Sequence, residues 1–152
     1  MSRYRILIGG LVLTVAAALI GYRLSLIPPD YSGRSLSVAE AHDLVSRGDL
    51  VLIDIRRPRE WQDSGLAAGA RPLDMRRDDF EPALAEIVGA DRSRPIALIC
   101  ARGVRSARMA LALSEAGYTN IIDIPEGMLG SSAGPGWLAS SLPITTIAES
   151  SE

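Results

Sequence analysis

Lysine is absent from the 152-residue chain, and all 16 basic residues are arginine. We attribute that to compositional bias in the genome, not to function. The formal net charge is −2. From Ser32 onward the chain is mildly acidic, so nothing points to a nucleic-acid partner. Cysteine occurs once, as Cys100, which excludes an internal disulfide. A thiol-redox or arsenate-type cycle is disfavoured for the same reason, because such cycles usually use a second cysteine. No internal repeat is apparent. Charge is missing altogether from Ile6 to Tyr22, ILIGGLVLTVAAALIGY.

That uncharged run is at the short edge of what spans a bilayer as a helix. Leu24, Leu26 and Ile27 extend it past Arg23, whose stem can snorkel. Residues 1–27 are therefore expected to be a signal anchor, a single transmembrane helix. Two readings stay open beside it: a cleaved signal peptide and a buried helix of a soluble domain. The Ala16-Ala17-Ala18 pattern for cleavage falls inside the apolar run, which speaks against removal. Arg3 and Arg5 favour a cytoplasmic N-terminus, although Arg23 and Arg34 flank the other end. The expected location is the bacterial inner membrane, single-pass, with the soluble domain in the periplasm.

Residues 28–35, PPDYSGRS, are expected to be a linker. Residues 36–145 form the folded domain, and 146–152 a polar tail. Ser37 to Glu40 has capping-box spacing, which predicts a helix over 38–46 stopped by Gly48. LVLIDI (50–55), PIALIC (95–100) and NIIDI (120–124) read as buried strands. Ala70 to Leu73 reads as a shorter one, and Pro58 to Ser64 as a loop with one helical turn. Helices are predicted over Asp78–Val88 and Val104–Ala116, the latter capped by Gly117. Apolar strands alternating with helices give an α/β fold with a parallel sheet and helices on both faces. Trp61 and Trp137 are expected to be core residues, and His42 a surface or packing residue.

In such sheets ligands bind beyond the C-terminal ends of the strands, where Cys100 falls in CARGVRS. Gly103 opens backbone conformations closed to other residues, and a helix begins within a few residues. Inward amides of residues 101–106 can form an anion-binding nest. Positive charge from Arg102 and Arg105, with the helix N-terminus, favours a thiolate. That suits nucleophilic attack by sulfur on an anionic substrate. A cysteine ending a buried strand is also a common inert core residue. The residues alone leave both readings open.

CARGVRS resembles the Cys-x-x-Gly-x-Arg-Ser loop of the rhodanese-like sulfurtransferases. LIDIRRPREW is similar to that family's Asp-Val-Arg segment with its following Glu and aromatic, here Asp54, Arg56, Glu60 and Trp61. GLAAGARPLDM resembles Gly-His-Ile-x-Gly-Ala, and EGMLGSSAGPGWLASSLPI its closing Gly-Gly, aromatic and Leu-Pro pattern. The resemblance implies a central parallel sheet of about five strands, with no metal and no organic cofactor. It implies that Cys100 takes sulfur from thiosulfate or a similar anion and passes it to a thiol or cyanide as acceptor. Ala101, Arg102, Gly103, Val104, Arg105 and Ser106 would bind the donor, supported by an Asp54–Arg56 pair. Four residues lie between Cys100 and Arg105, where related phosphatases have five, and that disfavours phosphate. Leu66 replaces the usual histidine, which bears on packing. Glu126 replaces the first closing glycine and would put a carboxylate near the pocket. A non-catalytic, membrane-tethered module that docks a partner or carries persulfide is the alternative.

Overall fold

The computed structural model describes residues 14–24, 27 and 29–147. Within the segment expected to be an anchor, residues 14–24 are helical and exposed, and all the others except Ile27 lie outside the described residues. Among the described residues, no helix is long and apolar enough to cross a membrane.

The folded part runs β1 (Arg34–Ser35), α1 (Val38–Arg47), β2 (Val51–Asp54), α2 (Pro58–Ser64), β3 (Leu66–Ala67), β4 (Arg71–Pro72), α3 (Phe80–Val88), β5 (Ile96–Ile99), α4 (Val104–Glu115), β6 (Ile121–Asp123), α5 (Gly136–Ala139) and β7 (Ile144–Thr145). Five strands form one parallel sheet in the order β1-β6-β5-β2-β4. The expected architecture is therefore present.

Side chains alternate across a strand, and the buried residues sort accordingly. Ile96, Leu98 and Cys100 face α3 and α4, together with Phe80, Leu84, Ala110 and Leu113. Ala97 and Ile99 face the other way, toward Val38, Ala41 and Trp137 of α1 and α5. Each fully buried isoleucine contributes about 2 kcal/mol by leaving water. Both tryptophans are buried, and His42 packs edge-on against Trp137 at 5.6 Å between ring centroids.

Three features differ from the sequence reading. The stretch expected to be a linker supplies the edge strand, with Arg34 and Ser35 in register with Ile122 and Asp123. Tyr31 anchors it by donating to the Ile121 carbonyl at 2.8 Å. A two-residue strand carries no readable alternation, so proline and glycine dominated the reading. Pro58 to Ser64 is a full helix, with proline in its first turn, where its missing N–H costs nothing. β3 and β7 form a separate small antiparallel pair, and its partners are too distant in sequence to be paired by inspection.

Glu126 corrects a further expectation. It is buried, and its carboxylate accepts from the Val38 N–H and the Gly136 N–H, both at 3.1 Å. It ties the start of α1, where the helix end favours negative charge, to the closing loop. Its charge is engaged there and not aimed at the cysteine loop. Glu126→Ala strands two buried amides and is expected to cost about 2 kcal/mol in urea denaturation of the full chain. A loss below about 0.5 kcal/mol would show that those amides find other partners.

Candidate functional site

β5 delivers Cys100 to the rim of the sheet, 1% exposed. Gly103 then takes φ +83° and ends the loop as the N-cap of α4. The first-turn amides of a helix have no partner within it, so the loop presents donors. A Cβ on Gly103 would run into the Pro125 carbonyl, and one on Gly127 would lie 2.6 Å from the Ala101 backbone. These two glycines let the closing loop lie directly on the cysteine loop. Met128 N–H donates to the Cys100 carbonyl at 2.8 Å, and Leu129 N–H to that of Ala101 at 2.9 Å.

Ser106 is fully buried beneath the loop. Its hydroxyl donates to the Gly103 carbonyl at 2.9 Å, and the Cys100 thiol donates to Ser106 Oγ across 3.6 Å. Arg105 is half-buried and grips Glu60 with both terminal nitrogens, at 2.6 and 2.8 Å. That grip, before any other cause, raises the Arg105 pKa, and the nearby Cys100 sulfur adds to the effect. Arg105 in turn lowers the Glu60 pKa. A guanidinium has five N–H donors. With two on Glu60, the rest are left for an anion. Arg102 is exposed, its guanidinium 3.3 Å from the Gly130 carbonyl. Ala101 and Val104 are partly exposed in the loop between them.

Asp54 and Arg56 form the expected pair, wholly buried, with Nε and Nη2 on the carboxylate at 2.7 to 3.0 Å. The pair does not touch the cysteine loop. Arg56 instead donates to the Glu60 carbonyl, Ser64 Oγ and the Gly65 carbonyl, clamping the end of α2. It thereby holds Glu60 where Arg105 can reach it.

Sequence reading passed over the linking role of Glu60, whose partner is 45 residues away. It passed over Asp123 entirely. This aspartate ends β6 at 5% exposure, and its Oδ1 has no hydrogen-bond partner. It shares a surface cleft of about 340 Å³ with Arg102, Gly103, Ser131 and Ser132. Burial pushes its carboxyl up to about 6, while Ser106 and the Ile124 N–H pull the other way. Among the described residues, no cluster of His, Cys, Asp and Glu is placed to hold a metal.

Residues 37–133 match the family profile of the rhodanese-like domain. An uncharacterized protein of Rickettsia conorii is 28% identical over 123 residues, covering 74% of this chain and 97% of that protein. A tRNA sulfurtransferase of Shewanella loihica is 33% identical over 86 residues, covering 57% of this chain and only 17% of that protein. Among solved structures, the polysulfide-sulfur transferase homodimer from Wolinella succinogenes superposes with a TM-score of 0.59 at 24% identity. That match covers 92% of this chain and 93% of the other. At that identity the likeness is one of fold.

The Asp123 carboxyl makes a prediction with a definite sign. Its folded value of about 6 lies above the ordinary aspartate value of 3.8. The charged form is therefore disfavoured in the fold. The resulting penalty is absent below about pH 4, grows between about pH 4 and 6, and then levels off near 3 kcal/mol. Asp123→Asn is expected to be the more stable protein by up to about 3 kcal/mol at neutral pH, with the gap closing near pH 4. Denaturant unfolding at the two pH values measures it, and a pH-independent gap would contradict the elevated carboxyl.

Proposed function

The chain belongs to the rhodanese-like domain family, and from that premise we propose that it is a sulfurtransferase working through a Cys100 persulfide. One observation carries the reading. The only thiol of the chain is buried where β5 turns into α4, with Arg105 near its sulfur.

Cys100, as thiolate, attacks the outer sulfur of a small anion such as thiosulfate. The donor S–S bond breaks, sulfite leaves with the electron pair, and Cys100 carries the sulfur as a persulfide anion. An acceptor thiolate then takes that outer sulfur and returns Cys100 to its thiolate. Ala101 to Ser106 cradle the anion, with the free N–H groups of Arg105 on its oxygens and Arg102 at the approach. Asp54 and Arg56 support this from behind, through α2 and Glu60. No metal or organic cofactor enters these steps.

The non-catalytic alternative drew on the anchor and on a carboxylate near the pocket. Glu126 faces Val38 and Gly136 instead, so it gives that alternative no support. We further propose that the N-terminal segment anchors the domain in the bacterial inner membrane, with the domain on the periplasmic side. The uncharged run Ile6 to Tyr22 supports this, as do the exposed Val15, Leu19, Ile20 and Tyr22 of the helical residues 14–24. A compartment-specific reporter fused after Glu152 tests the orientation.

Incubating the full chain with thiosulfate is expected to add one sulfur atom, about 32 Da by mass spectrometry. The gain should vanish on treatment with a reducing thiol and in Cys100→Ser. Absence of any adduct with thiosulfate and polysulfide alike sinks the catalytic reading.

A further inference from the structure

Ser106 sits between two buried groups that can each carry a negative charge. On one side is the Cys100 sulfur, 3.6 Å from Ser106 Oγ. On the other is Asp123, buried on the same face of the sheet, whose carboxyl burial pushes up and the Ser106 hydroxyl draws back. The sheet enforces the arrangement. Leu98 and Asp123 are in register on β5 and β6. Cys100 is two residues beyond Leu98, so it points to the same face, and α4 lays Ser106 over both strands.

We propose that Cys100, Ser106 and Asp123 form one proton-sharing unit, in which Asp123 takes the proton that Cys100 releases. The inference rests on Cys100 being the reacting sulfur. The proton leaves the Cys100 sulfur for Ser106 Oγ as Ser106's own proton passes to an Asp123 oxygen. No proton goes to water, and the site keeps a single negative charge throughout. The charge simply moves from carboxylate to sulfur.

Three observations support this assignment. Asp123 is buried, and its Oδ1 lacks the partner a buried carboxylate normally has. The Ser106 hydroxyl has one proton and competing acceptors, the Gly103 carbonyl among them, so it can turn. Among the described residues, no cation is paired with the carboxylate. Arg105 of α4 holds Glu60 with two of its donors and lies toward the Cys100 sulfur, and Arg102 is exposed with its guanidinium near the Gly130 carbonyl. Ser131 beyond β6 donates its hydroxyl to the Pro125 carbonyl, and Tyr31 before β1 donates to the Ile121 carbonyl. Arg34 of β1 is exposed at the sheet edge. Two anions side by side in such a place repel strongly, and the pair titrates as a unit. An anionic sulfur donor thus meets one buried charge, not two.

The chain has a single cysteine, so iodoacetamide alkylation followed against pH reads Cys100 alone. While Asp123 is ionised it competes with the sulfur for the one charge. Asp123→Asn removes the competitor. The alkylation profile is then expected to move to lower pH, with a rate near neutrality at least about threefold above wild type. In a Ser106→Ala background the same substitution should have a smaller effect, since the hydroxyl that links the groups is gone. The wild type provides a second readout that needs no folded variant. The Asp123 carboxyl carbon in NMR should show a main inflection near 6. It should also show a smaller alkaline inflection that disappears once Cys100 is alkylated. Superimposable alkylation profiles, or a carboxyl carbon blind to the sulfur, overturn the proposal. Normal persulfide formation with those results defeats the proton unit alone. Shifted profiles without any persulfide leave the unit standing and defeat the sulfur-transfer reading.

Discussion

A thiol at the end of a buried strand becomes part of a site here because a second loop lies directly upon it. The Met128 and Leu129 amides bind the carbonyls of Cys100 and Ala101. With those carbonyls turned outward to the closing loop, the turn into α4 is free to present its amides inward. Gly103 and Gly127 make the approach possible, since a side chain at either would occupy the space of the opposing backbone. The closing loop is itself held by Glu126, through α1 and Gly136. The geometry of the cysteine loop therefore depends on contacts made by residues far from the sulfur.

The second theme is the handling of charge. A loop proposed to take anions must keep carboxylates away or neutralise them, and the carboxylates near this one are held one at a time. Asp54 is bound by Arg56, Glu60 by Arg105, and Glu126 by two backbone amides. Buried pairs of this kind are weak sources of net stability, because desolvation offsets their attraction. Breaking one leaves an uncompensated charge, so they are better understood as fixing position. Asp54 and Arg56 fix the end of α2, α2 fixes Glu60, and Glu60 fixes Arg105 beside Cys100. Among the described residues, Asp123 stands apart as the buried carboxylate with an oxygen left unsatisfied, and it lies on the side of the loop where Ser106 meets the sulfur.

The N-terminal residues and the folded part pose different physical problems. The helical residues 14–24 expose Val15, Leu19, Ile20 and Tyr22 to their surroundings. The central strands β2, β5 and β6, by contrast, bury every side chain but that of Val51, which is partly buried. Apolar side chains left exposed on a helix favour an apolar environment, and this supports the anchor reading we propose.

Much of the fold was legible because local patterns carry it. Unbroken apolar runs marked β2, β5 and β6, the capping spacing marked α1, and CARGVRS marked the strand-to-helix loop. These depend on neighbours in sequence, where hydrophobic periodicity and backbone preference act. The two-residue strands β1, β3 and β7 were not legible, since hydrogen bonds to distant chain make them strands. The same division runs through the site. The sequence by itself determined that one thiol would sit at a strand end before a glycine and two arginines. Only the tertiary structure decided that Arg105 rests on Glu60, that Glu126 turns away from the loop, and that Asp123 lies beside Ser106. Each of those facts is a through-space pairing, and spacing along a chain does not encode which distant charges a packed sheet brings together.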